Sequence, residues 1–378
     1  MSMQTKTAPM PKVFETTLEI NLPALKHNFE VLKAKLNTDT LFLAVVKAFA
    51  YGSDAGVVSN YLQQLGVDYF AVAYVAEGVA LRKAGVKKPI LVLHPLVKNL
   101  GLAIEHCLEP SIYSLKLLQE FEGIAKNQNQ NNYPIHIKFN TGLNRLGLEP
   151  EELDLVLESL KGASSLKVKS VFSHLAASED FEEQEFTLDQ IKRYESLSKT
   201  LIDGLRYPVI RHLCNTSGVL NYPEAHFDMV RCGIGLYGFG NSEKETKNLI
   251  PVACLKSIIS QIHHIKKGAS VGYNRAFKST SDIETATLPI GHADGIGRHF
   301  GNGVGFVMIH GKKAPIVGNV CMDMIMVDVT NIDCEEGDEV VIFGAEHSAE
   351  IAATAANTIS YELITSISQR VKRKIVHK

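Results

Sequence analysis

The sequence predicts an α/β protein in which a (β/α)8 barrel is followed by a smaller, mostly β domain. Short β-rich runs alternate with amphipathic segments between residues 41 and 231, a pattern typical of parallel strands joined by crossover helices. After residue 240 the alternation stops, and β-rich stretches follow one another with turns between them. A length of 378 residues also exceeds one ordinary core, so a large and a small domain are expected.

Eight β-rich runs define the predicted barrel. They are LFLAVV (41–46), YFAVA (69–73), PILVL (89–93), PSIY (110–113), IHIKF (135–139), KSVFS (169–173), VIRHL (209–213) and FDMVR (227–231). The helical segments between them include residues 53–66, 76–85, 114–126 and 150–160. Eight such strands within about 200 residues suit a closed barrel. An open, doubly wound sheet has the same alternation and remains the alternative.

The second domain is predicted from five β-rich stretches, at 252–265, 285–290, 304–310, 324–330 and 339–344. Turns are expected at GKKAP (311–315) and NIDCEEGDE (331–339), and one helix near SAEIAATAAN (348–357). An early strand, TTLEINL (16–22), precedes the barrel and could pair with this domain. We therefore expect a flexible tail over 1–12, the barrel over 13–240 and the β domain over 241–378.

The composition excludes several classes of function. The 39 basic and 41 acidic residues nearly balance, which gives no reason to expect a nucleic acid or membrane partner. The N-terminal segment lacks the apolar core of a signal peptide, and no apolar run approaches a membrane span. Six scattered cysteines form no C-x-x-C pair, so we expect no metal site, no disulfide framework and a cytoplasmic protein.

Catalytic groups of barrel enzymes stand at the C-terminal ends of the strands. In this chain those positions carry several polar and charged residues, together with a Gly-Ile pair. They are Lys47 after the first strand, Lys138 and Arg145 around the end of the fifth, His174 after the sixth, His212, Asn215 and Thr216 around the end of the seventh, and Arg231, Gly233 and Ile234 at the eighth.

Lys47 is the most informative of these residues. A lysine that follows an apolar strand is partly desolvated, which lowers the pKa of its amine and favours Schiff-base chemistry. An arbitrary lysine at this position is more often a surface residue with its charge in water. The surroundings favour the functional interpretation, because the loops after strands seven and eight are the usual phosphate site of such barrels. Thr216 offers a hydroxyl there, and Gly233 and Ile234 offer backbone N–H groups.

Arg231 is either a salt-bridge partner or a cofactor contact. A site for pyridoxal phosphate needs a group opposite the pyridine nitrogen, and arginine is one of the recognised choices. Its guanidinium keeps its protons, so it would donate a hydrogen bond without protonating the ring. That weakens the ring as an electron sink and favours return of a proton to the substrate.

Residues 233–238, GIGLYG, match the G-x-G-x-x-G pattern of a dinucleotide-binding loop. No helix is predicted to open at this position, and the run continues through Gly240 into a polar linker. We therefore disfavour a Rossmann interpretation.

Nine segments resemble the alanine racemase family, and they occur in the family's order from about residue 15 onward. They are VVKAFAYG (45–52), KFNTGLNRLG (138–147), SHLAAS (173–178), HLCNTSG (212–218), MVRCGIGLYG (229–238), VGYNRAF (271–277), LPIGHADG (288–295), VGNVCMDM (317–324) and TISYELITSISQRV (358–371). The resemblance implies a pyridoxal 5'-phosphate enzyme that interconverts L- and D-alanine, supplies D-alanine for peptidoglycan, and works as a head-to-tail homodimer with shared active sites.

The resemblance also implies a role for each matching residue. Lys47 would hold the cofactor covalently and act on the D-alanine face, and Tyr273 of the partner subunit would act on the L-alanine face. Arg231 would contact the pyridine nitrogen, and His174 would link it toward Tyr273. The cofactor phosphate would be bound by Tyr51, Thr216, Gly233 and Ile234, and Asn215 would also lie in the cofactor site. Arg145 would contact the phenolic oxygen of the cofactor and the substrate carboxylate, which the backbone of Met322 would also contact. Lys138 matches a lysine that is carbamylated in some members of the family.

Four positions depart from the family pattern. The family usually has Asn where this chain has Phe49, and Tyr where it has Gln369 and His292. Asn140 stands where Asp is common. Gln369 puts one phosphate contact in doubt, and His292 with Gln369 would alter the substrate corridor.

Two rival functions follow from the same barrel. A related decarboxylase would be expected to place a carboxylate, not an arginine, against the pyridine nitrogen. A non-catalytic carrier of the cofactor would resemble the barrel alone, so the domain that holds Tyr273 argues against it.

Overall fold

The computed structural model describes residues 15–377, which divide into two compact units. One unit is Asn21–Val252 with His377, and the other is residues 15–20 with Ala253–Val376. The first strand, β1 (Thr16–Asn21), pairs antiparallel with a strand of the second unit. The polar segment 241–252 belongs with the first unit, whereas the sequence suggested a domain change after residue 240. The predicted tail, residues 1–12, lies outside the described residues.

The first unit contains a closed barrel of eight parallel strands, as the sequence predicts. Pairing of Leu41 with Met229 closes the ring, which rules out the open-sheet alternative. The strands are β2 (Leu41–Val45), β3 (Tyr69–Val72), β4 (Ile90–Val92), β5 (Glu109–Ile112), β6 (Tyr133–Lys138), β7 (Leu166–Phe172), β8 (Ile210–His212) and β9 (Met229–Cys232).

Helices surround this barrel, so most strand residues are buried on both faces and their sequences are continuous apolar runs. Local capping sets the helix starts: Asp54 accepts a hydrogen bond from the Val57 N–H, and Ser114 accepts one from the Leu117 N–H. The helical segments are α1 (Leu22–Lys33), α2 (Lys47–Tyr51), α3 (Ala55–Leu65), α4 (Val75–Lys83), α5 (Leu100–Glu105), α6 (Leu115–Asn127), α7 (Leu153–Lys161), α8 (Gln184–Leu205), α9 (Thr216–Asn221) and α10 (Glu243–Thr246).

The second unit is a nine-stranded sheet with two helices and a small hairpin. The strands of this unit after β1 are β10 (Ala253–Ile258), β11 (Gln261–Ile265), β12 (Ser270–Val271), β13 (Phe277–Lys278), β14 (Ile283–Leu288), β15 (Phe306–Ile309), β16 (Lys312–Val317), β17 (Ile325–Asp328), β18 (Glu339–Phe343) and β19 (Lys372–Val376). The sheet order is β11-β14-β17-β16-β15-β18-β10-β1-β19, and β12 pairs with β13.

Several features of this unit differ from the sequence prediction, which lacked β12, β13 and β19. GKKAP (311–315) was expected to be a turn, but only its glycine lies in one, and Lys312–Val317 is strand β16. His310 and Gly311 both have positive φ, so two residues suffice to reverse the chain in a tight hairpin. The predicted helix near 348–357 is α11 (Ala349–Ala355), and a second helix that the prediction lacked, α12 (Ser360–Ser366), follows it.

Candidate functional site

Lys47 lies two residues after the end of β2, at the carboxyl end of the barrel strands, with its side chain partly buried. Removal from water lowers the pKa of its amine, and the positive charge of Arg145 lowers it further. The carboxylate of Glu77 acts in the opposite direction. A larger share of this amine is therefore neutral, and able to accept a proton, than for a lysine in water.

The turn after Lys47 brings Tyr51 back against the barrel. Tyr51 is buried, and its ring stacks on Tyr237 with 4.4 Å between the ring centroids. A Cβ added at Gly233 would lie 2.3 Å from the Tyr51 hydroxyl, so a side chain there would displace this tyrosine. The turn thus places the Tyr51 hydroxyl beside the loop after β9.

Backbone N–H groups converge at the ends of β8 and β9. Those of Gly233 and Gly235 both point at the Thr216 hydroxyl, each at 3.3 Å. Asn215 begins α9 and accepts a hydrogen bond from within it, and Ile234 is buried at the start of the next turn. This cluster of a hydroxyl and N–H donors suits a phosphate group. Gly235, which was not among the predicted site residues, also belongs to this cluster.

The segment after β9 also decides the dinucleotide interpretation. Ile234–Tyr237 is one short 3-10 turn, and Gly238 ends it with φ of 95°. The long helix that a dinucleotide-binding loop needs at this point does not form. The G-x-G-x-x-G match is therefore coincidental.

Arg231 is buried among acceptors at the end of β9. It donates to the carbonyl oxygens of Ser173 (2.6 Å), Leu213 (2.9 Å) and His212 (3.1 Å). It also lies within hydrogen-bond distance of Nδ1 of His212 (3.0 Å) and of His174 (3.2 Å). Burial lowers the pKa of Arg231 to about 10, which still leaves the guanidinium charged at neutral pH.

The charge of Arg231 fixes the proton positions on both histidines. Burial and nearby positive charges, Arg231 among them, lower the pKa of His174 and of His212 well below the usual value, so both rings are neutral. A guanidinium can only donate, so each Nδ1 accepts and each Nε2 carries the proton. His174 can therefore donate from Nε2 while it accepts from Arg231.

A buried chain of hydrogen bonds continues from His212 across the barrel interior. Its Nε2 lies 2.7 Å from the Ser170 hydroxyl, which lies 2.5 Å from Nδ1 of His136. Nε2 of His136 lies 2.8 Å from the Glu109 carboxylate. Since Arg231 donates at one end, every bond in this chain runs toward Glu109. Glu109, His136 and Ser170 were not among the residues predicted from the sequence, although polar residues inside otherwise apolar strands were the available signal.

Lys138 lies at the end of β6 and is buried. Its Nζ lies 5.8 Å from the centre of the Phe172 ring. Burial and the positive charges of Arg145 and Arg231 lower the pKa of this amine to about 8. Burial beside two positive charges therefore favours the neutral form of the Lys138 amine.

Arg145 is exposed in the loop that follows β6. Asn140 builds this loop, because its side-chain oxygen accepts from the N–H groups of Gly142 (3.2 Å) and Asn144 (3.0 Å). Its amide group donates to Glu149 at 2.9 Å. An aspartate could not make this last contact, so Asn140 suits the loop of this chain.

Tyr273 lies in the second unit, in the turn between β12 and β13. Its side chain is 72% exposed. Gly272 has φ of 76°, and Asn274 and Arg275 are also left-handed, which makes a tight turn that projects the ring. The Asn319 amide holds the turn by donating to the Tyr273 carbonyl oxygen at 3.1 Å.

Met322 lies on a second loop of the same unit and is also exposed. Its carbonyl oxygen accepts from Ala293, next to His292. Arg370, next to Gln369, donates to Asp294 at 2.6 and 3.0 Å and to Asp323 at 2.7 Å. Arg370 thus connects three loops, which carry Met322, His292 and Gln369. The last two are positions at which this chain departs from the family pattern.

The predicted site residues fall into two groups. The structure assembles ten of them at one end of the barrel, whereas Tyr273 and Met322 lie in the β unit. The ten are Lys47, Tyr51, Lys138, Arg145, His174, Asn215, Thr216, Arg231, Gly233 and Ile234. No cluster of histidine, cysteine or carboxylate side chains suited to a metal ion occurs among residues 15–377.

Both units match known families over nearly their whole length. The N-terminal domain of alanine racemase matches residues 20–240, and its C-terminal domain matches residues 252–375. The chain belongs to the alanine racemase family. Within the described residues, no helix is long and apolar enough to cross a membrane.

Individual alanine racemases support the assignment. An alanine racemase of Methanococcus maripaludis is 34% identical over 95% of this chain and 98% of its own. The solved alanine racemase of Clostridium difficile superposes with a TM-score of 0.90 at 33% identity, over 97% of both chains. That of Bartonella henselae, which carries covalently bound pyridoxal phosphate, gives 0.88 at 29% identity over 96% of this chain and 100% of its own.

Proposed function

We propose that this chain interconverts L- and D-alanine with pyridoxal 5'-phosphate, using Lys47 and Tyr273 as bases on opposite faces of the substrate. The observation that carries the proposal is the buried Arg231 at a barrel end that also holds a lysine of lowered pKa and a cluster of N–H donors. A decarboxylase would profit from a carboxylate in place of that arginine.

The barrel end fits the cofactor. The Thr216 hydroxyl and the N–H groups around Gly233 form a cradle that a side chain at position 235 would fill, since an added Cβ would lie 2.6 Å from Thr216 Cγ2. Tyr51 adds a hydroxyl at the edge of this cradle, and Arg231 offers donors to a ring nitrogen. Pyridoxal phosphate, when bound, supplies an electron sink that makes the Cα proton of alanine acidic.

The two bases then act on one carbon from opposite sides. Neutral Lys47 accepts a proton from Cα, or returns it, on the D-alanine face. On the L-alanine face the Tyr273 hydroxyl donates a proton to Cα, and in the reverse direction its phenolate accepts that proton; His174 would connect Tyr273 to Arg231. A single base would return the proton to the face from which it came, so interconversion is easiest with two.

Tyr273 comes, in this proposal, from the second subunit of a head-to-tail homodimer. Its 72% exposure within its own unit leaves the hydroxyl available to a partner. The exposed loop of Met322 would meet the substrate carboxylate together with Arg145.

Lys138 completes the proposed site as a carbamate. Its pKa of about 8 provides neutral amine at physiological pH, which is the form that reacts with carbon dioxide. The resulting negative charge would balance Arg145 and Arg231 and hold Arg145 in place. We also propose a cytoplasmic location, which suits the six free cysteines.

Incubation with L-alanine tests the function, with optical rotation and carbon dioxide release followed together. Loss of rotation without gas is expected; gas release would indicate a decarboxylase, and a bound cofactor without turnover would indicate a carrier. Borohydride reduction followed by peptide mapping should find the cofactor on Lys47. Lys47→Ala should lose it, whereas Lys192→Ala, a change at an exposed lysine, should not. Cofactor on another lysine would overturn the barrel assignments.

A further inference from the structure

The turn that follows Lys47 has an unusual backbone. Ala48, Phe49, Ala50 and Tyr51 all have φ between 51° and 56°, so four consecutive non-glycine residues are left-handed. L-residues usually adopt this conformation singly, at a cost of roughly 1–2 kcal/mol each. Such a run persists only where its surroundings hold it.

This turn sets the direction of two groups of the proposed site. Lys47 precedes it, and Tyr51 ends it with its hydroxyl against Gly233. Internal bonds close the turn, from the Ala50 N–H to the Val46 carbonyl oxygen and from the Gly52 N–H to that of Ala48. A right-handed turn would point the Tyr51 side chain elsewhere, since reversal of φ and ψ redirects each Cα–Cβ bond.

Glu77 connects this turn to the next loop of the barrel. One carboxylate oxygen accepts from the Ala48 N–H at 2.7 Å, the first N–H after Lys47. The other accepts from the N–H groups of Ala73 at 2.7 Å and Tyr74 at 3.1 Å. The Tyr74 contact is the ordinary cap of α4, but the Ala48 contact is not needed for capping.

We propose that Glu77 is the positioning residue that holds the left-handed turn and thereby directs Lys47 and Tyr51 into the site. The inference rests on the proposed role of Lys47 as the cofactor lysine. Charge supports it as well: Glu77 lies in the first turn of α4, where the helix dipole stabilises a carboxylate. Its negative charge also opposes that of Arg145 at the Lys47 amine.

Glu77→Gln tests the proposal, because an amide group has one acceptor oxygen and cannot satisfy both sides. Ser114→Ala is the matched control, since it removes one helix-cap bond at the same end of the barrel without touching the turn. Hydrogen exchange of the Ala50 and Gly52 amides, which do not bond to Glu77, is measured with both variants saturated with pyridoxal phosphate. We expect exchange at least about tenfold faster in Glu77→Gln and unchanged in Ser114→Ala.

A second substitution distinguishes a positioning role of Glu77 from a helix-capping role. Ala48→Gly removes a Cβ that opposes the left-handed conformation, so it should restore protection and part of the activity in the Glu77→Gln background. Glu77→Gln alone should lower kcat at least about tenfold and change KM for alanine less. If the Glu77→Gln variant does not fold, Glu77→Asp replaces it in both measurements, because aspartate keeps the charge but has a shorter side chain.

Unchanged exchange at Ala50 and Gly52, or an activity loss that Ala48→Gly does not reduce, would overturn the positioning role and leave Glu77 as a helix cap. Neither outcome depends on which lysine binds the cofactor. Failure of the proposed function would appear separately, as borohydride labelling away from Lys47.

Discussion

Single residues reveal the site through conformations and charges that folding alone does not favour. Arg231 and Lys138 are buried cations whose pKa values fall, to about 10 and about 8. Burial of a charge lowers stability unless it is compensated, so such residues indicate function. Phe49 is a further example, because a bulky residue is left-handed there and 58% exposed.

Lys138 should make stability depend on pH. Its pKa is lowered in the folded state, so the charged amine destabilises the fold fully below pH 8, and the penalty fades as pH rises toward 10.5. A fall in pKa from 10.5 to about 8 corresponds to about 3 kcal/mol, and water near the amine reduces this value. Lys138→Met should therefore raise the free energy of unfolding by roughly 2 kcal/mol at pH 7. Denaturant titrations in buffer free of carbon dioxide measure the difference in free energy of unfolding between the variant and the unchanged protein. A difference that does not become smaller above pH 8 would contradict the prediction.

Phe49→Asn should stabilise the protein. Asparagine tolerates left-handed backbone better than phenylalanine, so we expect a gain of about 0.5–1 kcal/mol in the free energy of unfolding. Phe49→Ala is the control, because it removes the ring without that tolerance. If chemical denaturation shows the asparagine variant to be no more stable than the alanine variant, backbone strain at position 49 is not the cause.

Among the secondary-structure elements, the chain of hydrogen bonds from Arg231 to Glu109 links five neighbouring barrel strands, β5 to β9. Three of its members, His136, Ser170 and His212, are fully buried, so each depends on the others for its hydrogen bonds. In the low dielectric of the barrel interior, a complete chain of hydrogen bonds stabilises the fold, whereas a broken one leaves buried polar groups unpaired and destabilises it.

Ser170→Ala should break this chain in the middle. It leaves Nε2–H of His212 and Nδ1 of His136 without their partner, and an unsatisfied buried group costs about 1–3 kcal/mol. Ser159→Ala, which removes an exposed hydroxyl bonded within its own helix, should change stability by less than about 0.5 kcal/mol. Equal melting temperatures for the two variants would show that this chain of hydrogen bonds contributes nothing to the stability of the fold.

The barrel elements were predictable because their signals are local. Strands buried on both faces form apolar runs, and a run such as LFLAVV differs from its strand only at the ends. The β domain was harder. The strand β16 begins with two lysines beside a turn, so its sequence resembles a loop, and only pairing with β15 and β17 makes it a strand.

Over the whole molecule, the candidate site residues were predictable where strand ends or family motifs mark them. Lys47, Arg231 and Thr216 lie at or just after strand ends, where barrel enzymes carry their catalytic groups. Glu77 was not predictable, because its contact with Ala48 joins positions 29 residues apart in sequence and depends on a left-handed turn that no composition indicates. Glu109 was missed for a similar reason, since its partner lies on the next strand.

In the proposed dimer, each active site combines Lys47 of one subunit with Tyr273 of the other, and mixing of inactive variants tests this arrangement. Lys47→Ala and Tyr273→Phe chains are mixed and allowed to exchange subunits. Each heterodimer then contains one doubly damaged site and one intact site. Random pairing should restore up to roughly a quarter of wild-type racemisation if the sites act independently.

Lys47→Ala mixed with the Lys47→Ala/Tyr273→Phe double variant is the control and should remain inactive, since no chain supplies the lysine. Exchange is verified by mass spectrometry of differently tagged chains. Return of activity in the first mixture alone is the predicted result. Verified heterodimers without activity would mean that both bases come from one chain, and the shared active site would be wrong.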